Sequence, residues 1–87
     1  MVTKTAITHA WTQVAADIST LSIIQAVAPA YARVELVAAA SAPAASAVGI
    51  RILAGDSIPD SSIDAIGTSG KLYARALSGS SVSIIVN

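Results

Sequence analysis

The chain has 87 residues, no cysteine and one histidine, and its five basic and five acidic residues give a formal net charge of zero at pH 7. A chain of this length forms one domain with a thin core, and this composition excludes disulfides and a zinc site. The cations occur one at a time along the sequence, which argues against nucleic-acid binding because phosphate recognition needs several cations on one face.

The apolar content of the chain comes largely from alanine. Hydrophobic residues make up 54% of the sequence, but there is no phenylalanine, and the aromatic residues are Trp11, Tyr31 and Tyr73. No apolar run approaches the roughly 20 residues of a membrane helix, and the first residues lack the apolar core of a signal peptide, so we expect neither membrane insertion nor secretion. A thin core without disulfides or metal favours association, and we predict a homo-oligomer or docking on a larger surface.

The first sixteen residues predict two short strands. One is expected around Ile7 and the other around residues 11–15, where threonine, tryptophan and valine have high strand propensity. Trp11 is interpreted as a core anchor because it offers more buried area than any other side chain, and an exposed contact for a partner is the alternative.

A turn and a third strand are predicted next. Residues 17–20 favour a turn, and the β-branched residues of 21–27 favour a strand that ends before Pro29. The alternative is a helix over 13–28, because several apolar residues fall at helical spacing. The serines and threonine of this segment are weak helix formers, so the strand is preferred.

The middle of the chain predicts two more strands. Residues 31–38 alternate in polarity, which places Arg33 and Glu35 together on a polar face as a solvated pair. The residues predicted to face the core are Ala32, Val34, Leu36 and Ala38. An alanine- and serine-rich loop broken by a proline is expected over 39–47, followed by a strand over 48–54.

The last third predicts an acidic loop and two strands. Residues 55–67 are expected to form a loop carrying one helical turn that begins at Asp60 or Ser61. The strand over 72–77 and a second one over 81–87 are predicted to pair as a hairpin. In the first of these strands, Leu72, Ala74 and Ala76 face one side, and Lys71, Tyr73, Arg75 and Leu77 face the other.

These elements predict an all-β fold. About seven short strands separated by turn signals, with at most one short helical turn, are typical of a single small antiparallel β-sandwich or barrel. We expect one β domain over residues 1–87.

Three groups of residues imitate functional motifs without meeting their requirements. Residues 67–71 end in Gly-Lys like a phosphate-binding loop, but a strand follows where the motif needs a helix. Asp56, Asp60 and Asp64 lack the close alternating spacing and the glutamate of a calcium loop. His9 is the one candidate base, and no nucleophile motif accompanies it. We therefore predict no catalytic residue, no cofactor and no metal, and a protein that is not an enzyme.

Four segments together resemble a family. They are Trp-Thr-Gln-Val at 11–14, the loop containing Pro43, the strand bounded by glycines at 49–55, and Lys-Leu-Tyr-Ala-Arg-Ala at 71–76. In this arrangement the chain resembles the small virion structural proteins of tailed bacteriophages. The long alanine- and serine-rich loop and the acidic insert depart from the pattern of that family.

The resemblance implies a capsid decoration, or cement, protein that binds and stabilises the head shell. Its partners would be the major capsid protein or other virion proteins, and it would be made in the bacterial cytoplasm and located in the virion. The expected contact residues are Arg33, Arg51, Tyr73 and Arg75, because each lies on the polar face of a predicted strand. The alternative is a β-sandwich binding module, either a tail or fibre component or a binder of host-surface carbohydrate.

Overall fold

The computed structural model of the chain describes residues 2–87, which form two antiparallel sheets of four strands each. The strands are β1 (Thr3–Ala6), β2 (Thr12–Ala15), β3 (Ile23–Val27), β4 (Arg33–Ala39), β5 (Ile50–Leu53), β6 (Ser57–Pro59), β7 (Lys71–Ser78) and β8 (Ser83–Val86). The first sheet has the strand order β1-β8-β3-β6, and the second sheet has the order β2-β7-β4-β5. The predicted all-β fold is confirmed.

The core lies between the two sheets and follows from the alternation along the strands. Alternate residues are buried at Val34 and Leu36 of β4 and at Leu72, Ala74 and Ala76 of β7, with Ala38 partly buried, and Leu36 and Leu72 are fully inaccessible to solvent. Ile24 and Ile84 face them from the central strands of the first sheet and are also fully buried. The inward faces predicted for β4 and β7 are therefore confirmed, and small alanines between the larger residues let the sheets approach closely.

The predicted hairpin between the last two strands is wrong. β7 pairs with β2 and β4 in the second sheet, whereas β8 pairs with β1 and β3 in the first. Both strands carry a buried apolar face, so they lie in opposite layers and pack against each other across the core. The connection between them crosses from one sheet to the other through Gly79, which has φ +90°. An added Cβ at Gly79 would lie 2.6 Å from the Cβ of Ala32, so this crossing requires glycine.

The helix alternative for residues 13–28 is also wrong, and the predicted turn is confirmed. A single 3-10 turn, Ile18–Thr20, follows Asp17. The Asp17 carboxylate accepts hydrogen bonds from the Ser19 backbone N–H (3.0 Å) and the Ser19 hydroxyl (2.7 Å), and these bonds lower the pKa of Asp17. Asp17 therefore caps a short turn, and the chain then enters β3.

The acidic segment holds one more strand than predicted. The expected helical turn is confirmed as α1 (Asp60–Ile63), but Ser57–Pro59 before it pairs with β3 as the short edge strand β6. Ile58 and Ile63 are buried, and they fix this segment to the core. Among residues 2–87, no helix is long and apolar enough to cross a membrane.

Candidate functional site

The β4–β5 loop, residues 40–49, folds across the outer face of the second sheet, and we call it the crossing loop. The Trp11 indole N–H donates to the carbonyl of Ala44 (3.1 Å). The Arg75 guanidinium donates to the carbonyls of Ala45 (2.7 Å) and Ala47 (2.9 Å). Two long side chains from β7 and the start of β2 therefore hold the loop through its backbone, which its small side chains leave accessible.

Beneath the crossing loop lies Glu35, whose side chain is fully buried. Its carboxylate accepts hydrogen bonds from the Gly49 backbone N–H (2.8 Å) and from Nε of Arg75 (2.8 Å). Nη2 of Arg75 lies 2.7 Å from Oε1, and Nε of Arg51 lies 3.7 Å from Oε2. Both arginines are cross-strand neighbours of Glu35, Arg75 on β7 and Arg51 on β5.

The predicted solvated pair of Arg33 and Glu35 is therefore wrong. Residues two apart on a strand lie farther from each other than directly opposed residues on neighbouring strands, which here are Arg75 and Arg51. The crossing loop then removes Glu35 from water, so the carboxylate is a buried charge held by hydrogen bonds and two cations.

Opposing effects act on the pKa of Glu35. Burial raises it, but the Gly49 N–H bond, the Arg75 bond and charge, and the charge of Arg51 together outweigh burial and lower it below the ordinary value of 4.5. At a pH between the folded and unfolded pKa values, the unfolded chain binds a proton that the folded chain does not. Glu35 therefore contributes stability above pH 4.5 that is lost as the pH falls through the lowered pKa.

We predict that the wild-type protein loses unfolding free energy between about pH 5 and pH 2 more steeply than the Glu35→Gln variant. Urea denaturation across this range measures the difference. Asp17 titrates in both proteins, so the comparison isolates Glu35. If the free energy of unfolding depends on pH in the same way in both proteins, the pKa of Glu35 is not lowered by folding.

Tyr73 and Arg75 are less exposed than the sequence predicts. Tyr73 lies on the expected outer face of β7 but is only 5% exposed, and the Arg75 side chain is 17% exposed. The crossing loop lies against Arg75 through the carbonyls of Ala45 and Ala47, a contact that strand alternation alone cannot reveal. The surface around these two residues is therefore not the open contact face expected of them.

The core-anchor interpretation of Trp11 is wrong as well. Trp11 lies outside the core, and the Arg75 guanidinium carbon lies 4.3 Å from the centroid of its ring. Val14 points into the core from the same segment and takes the buried position expected of the tryptophan. Trp11 instead supports the ion-pair network through a cation–π contact and its bond to the crossing loop.

The other two predicted contact residues lie at an exposed edge of the second sheet. Arg33 and Arg51 are exposed, and Arg33 is paired with Leu53 across the last two strands of this sheet. Leu53, directly opposite Arg33, is exposed, and other exposed apolar residues lie at or near this edge, with Ile50 on the opposite face of β5 from Arg51. We call this surface the β5 patch and define it as Tyr31, Arg33, Val48, Ile50, Arg51 and Leu53.

The β5 patch concentrates exposed apolar area. Five large hydrophobic residues are strongly exposed among residues 2–87, and four of them belong to the patch: Tyr31 (69%), Val48 (71%), Ile50 (41%) and Leu53 (43%). They are not among the four predicted contact residues, which lie on the polar faces of the predicted strands. Val48 lies just before the short strand β5, and Leu53 is its last residue.

Comparison of the sheet edges sets β5 apart. Edge strands invite pairing with other chains, and proteins protect them with charges, prolines or bulges. β1 carries Lys4, β6 ends at Pro59, and β2 has a register shift next to Val14. β5 likewise carries a charge, Arg51, but its apolar residues Ile50 and Leu53 are exposed.

Two shallow clefts lie elsewhere on the surface. One, of about 720 Å³, is lined by the end of β2, the 3-10 turn and the end of β8. The other, of about 470 Å³, includes His9, whose Nε2 donates to the Gly79 carbonyl (3.2 Å). Within the part of the chain that the structure describes, no three histidine or acidic side chains lie close enough together to hold a metal ion.

No family model, curated protein or solved structure matches the chain. Of the surface features described, the β5 patch holds most of the large hydrophobic residues that are exposed among residues 2–87.

Proposed function

We propose that this chain is a non-enzymatic structural protein of a tailed-bacteriophage particle, a decoration protein that docks on the head shell through the β5 patch. The observation that carries the proposal is the set of exposed apolar side chains at an unpaired sheet edge, accompanied by Arg33 and Arg51. The resemblance of residues 11–14 and 71–76 to small virion proteins supports the same assignment. In the particle, the patch would contact the major capsid protein of the shell.

The composition of the β5 patch fits a protein–protein contact. Interface cores are enriched in aromatic residues and arginine and depleted of lysine and acidic residues. The patch has one exposed aromatic, three aliphatic residues and two arginines, and no acidic side chain. A partner surface with an apolar centre and an acidic rim would complement it.

A decoration protein also suits the energetics of this small sandwich. Its buried core consists of twelve isoleucine, valine and leucine side chains and four alanines, with no phenylalanine, so it buries less large apolar surface than a core with aromatic rings would. Binding to a particle stabilises the folded state by mass action, because only the folded chain presents the patch.

A carbohydrate-binding module is the weaker candidate. Such sites stack sugar rings on exposed aromatic platforms, and the β5 patch offers only Tyr31. Tyr73 is buried, and the Trp11 ring is stacked on Arg75. Binding of the chain to a glycan array, without binding to particles, would favour the carbohydrate module over the decoration protein.

We predict that the chain is present in purified particles of the virus whose genome carries its coding sequence, with many copies per particle. Quantitative mass spectrometry of the particles measures the ratio to the major capsid protein. A ratio near one, or a simple fraction of it, supports decoration of the shell. Complete absence of the chain from purified particles would overturn the proposal.

The Leu53→Lys variant is expected to bind particles at least about tenfold more weakly than the wild type, because it places a charge in the apolar part of the patch. Cosedimentation with particles stripped of the protein measures the loss. Val2→Lys is the matched control, since Val2 is also strongly exposed (64%) but lies outside the patch. Equal binding by both variants would exclude the β5 patch as the docking surface.

A further inference from the structure

We infer that the crossing loop is a local opening unit. A latch of three side chains, Trp11, Glu35 and Arg75, holds the loop closed, and the loop opens while the two sheets stay folded. This movement takes place within one copy of the chain and therefore goes beyond the proposed function. The position of the loop outside the core and the small number of side chains that hold it both point to such a unit.

The crossing loop takes no part in the core. None of residues 40–49, all of which the structure describes, belongs to the buried hydrophobic cluster between the sheets or to the partly buried residues packed against that cluster. Seven of these ten residues are exposed, and the other three are partly exposed. Segments with few buried apolar contacts open at a lower free energy than the whole molecule. Opening of this loop therefore leaves the packing between the sheets intact.

Side-chain hydrogen bonds join the crossing loop to the second sheet. Among residues 2–87, the only backbone–backbone hydrogen bond of the loop outside the strand ladders lies within the loop itself, from the Ala47 N–H to the Ala44 carbonyl (2.9 Å). The bonds that connect the loop to the rest of the chain come from Trp11, Arg75 and Glu35. Release of these three side chains would therefore free the loop without breaking the strand pairing of either sheet.

The three side chains of the latch act together because Arg75 joins them. Its Nε donates to the Glu35 carboxylate (2.8 Å), and its guanidinium carbon lies 4.3 Å from the centroid of the Trp11 ring. The same guanidinium donates to two carbonyls in the middle of the loop. Trp11 binds the loop at Ala44, and Glu35 binds it at Gly49. Because these contacts share one guanidinium, the loss of one of them is expected to weaken the others.

The latch also determines where one residue of the β5 patch lies. Val48 is 71% exposed, and the latch holds the backbone of both its neighbours. The Ala47 carbonyl accepts from Nη2 of Arg75 (2.9 Å), and the Gly49 N–H donates to Glu35 (2.8 Å). Opening of the loop would release both neighbours and move Val48, while the residues of β5 stay in the sheet. The state of the loop therefore changes the shape of the patch.

Hydrogen exchange of backbone amides, followed by NMR in the purified chain, tests the opening without any particle. The Gly49 amide reports on the loop. The Ala76 amide, which donates to the Thr8 carbonyl (2.8 Å), reports on the second sheet next to Arg75. Protection is the exchange rate of an unstructured peptide divided by that of the protein. We expect Gly49 to be at least about tenfold less protected than Ala76, because the loop opens more often than the sheets unfold.

Two variants test whether the loop opens as one unit. Trp11→Phe removes the indole N–H bond to the loop but keeps an aromatic ring, and it should lower the protection of Gly49 by about three- to tenfold. Arg75→Lys keeps a cation beside Glu35 but loses the guanidinium fork that binds two loop carbonyls, so it should lower this protection at least about tenfold. Tyr31→Phe is the matched control and should leave the protection unchanged, because Tyr31 is an exposed aromatic residue outside the loop.

Two results would each overturn the inference. Equal protection of Gly49 and Ala76 in the wild type would show that the loop opens only when the whole chain unfolds. An unchanged protection of Gly49 in Trp11→Phe would show that the two ends of the loop move separately, since Trp11 binds the loop at Ala44. If Trp11→Phe does not fold, Trp11→Tyr replaces it, and the wild-type comparison needs no variant. All of these measurements use the chain alone, so absence of the chain from particles would overturn the proposed function and leave the opening unit standing.

Discussion

Replacing Arg75 by methionine is expected to lower the free energy of unfolding by about 3–5 kcal/mol, because it leaves a buried carboxylate without its main cation. Arg75 donates to Glu35 (2.8 Å) and also to the carbonyls of Ala45 and Ala47. Arg51 lies farther from the carboxylate, at 3.7 Å, and its own side chain is 55% exposed, so it compensates poorly. Urea denaturation at pH 7 measures the loss.

Two further variants separate the ion pair from the packing of the arginine stem. Arg33→Met removes an exposed arginine from the adjacent strand and is expected to change stability by no more than about 0.5 kcal/mol. The double variant Glu35→Gln/Arg75→Met is expected to be more stable than Arg75→Met, since the buried charge is gone while the amide oxygen still accepts the Gly49 N–H. If Arg75→Met lowers the free energy of unfolding no more than Arg33→Met does, the buried Glu35 carboxylate is not stabilised by Arg75.

The sequence predicts the layers of this fold well because each strand shows its buried face locally. In β4 and β7 the apolar residues occur at every second position, and this period alone identifies the inward side chains. Turn residues around Asp17 and a helical start at Asp60 are likewise local features, and the structure has a turn and a helix at these places. Such predictions need no knowledge of which strands are neighbours.

Strand pairing is not local, and the predicted hairpin failed for this reason. Two strands joined by a short glycine-containing connection can pair side by side or lie in opposite layers, and both arrangements have the same alternation. The choice depends on the other strands: β2 and β4 flank β7, while β1 and β3 flank β8. The ion pairs of Glu35 follow from this order, because Arg75 and Arg51 become its neighbours only after β7, β4 and β5 are placed.

The crossing loop explains most of what the sequence missed at the candidate site. Its alanines and serines show no periodic pattern. Its contacts to Trp11 and Arg75 use backbone carbonyls, which every residue has, so the residue types do not indicate them. The loop lies against Arg75 on the outer face of β7 and leaves Ile50, Arg51 and Leu53 of β5 exposed. Of the predicted contact residues, Arg33 and Arg51 therefore lie in the β5 patch, whereas Tyr73 is buried. Whether the patch acts as an interface stays a prediction.

Gly49→Ala is expected to lower the free energy of unfolding by about 2–4 kcal/mol, because the added methyl group would overlap the backbone of β4. A Cβ at this position would lie 2.1 Å from the Leu36 carbonyl oxygen and 2.8 Å from its carbon. These are main-chain atoms of a central strand, so no side-chain rotation can relieve the contact. The crossing loop would have to move outward, and the Gly49 N–H would then release the Glu35 carboxylate.

Two comparison variants identify steric overlap as the cause of this loss. A Cβ added at Gly55 would meet no atom within 4 Å, but this residue has φ +99°. Gly55→Ala should therefore lower the free energy of unfolding only by the strain of a left-handed backbone, about 1–2 kcal/mol. Val48→Ala changes the exposed neighbour of Gly49 and should be nearly neutral in stability. Hydrogen exchange measures loosening of the loop directly. The backbone amide at position 49 should exchange faster in Gly49→Ala than in the wild type. The contact between the crossing loop and Leu36 would be contradicted by two results together. Gly49→Ala would lower the free energy of unfolding no more than Gly55→Ala, and the backbone amide at position 49 would exchange at the wild-type rate.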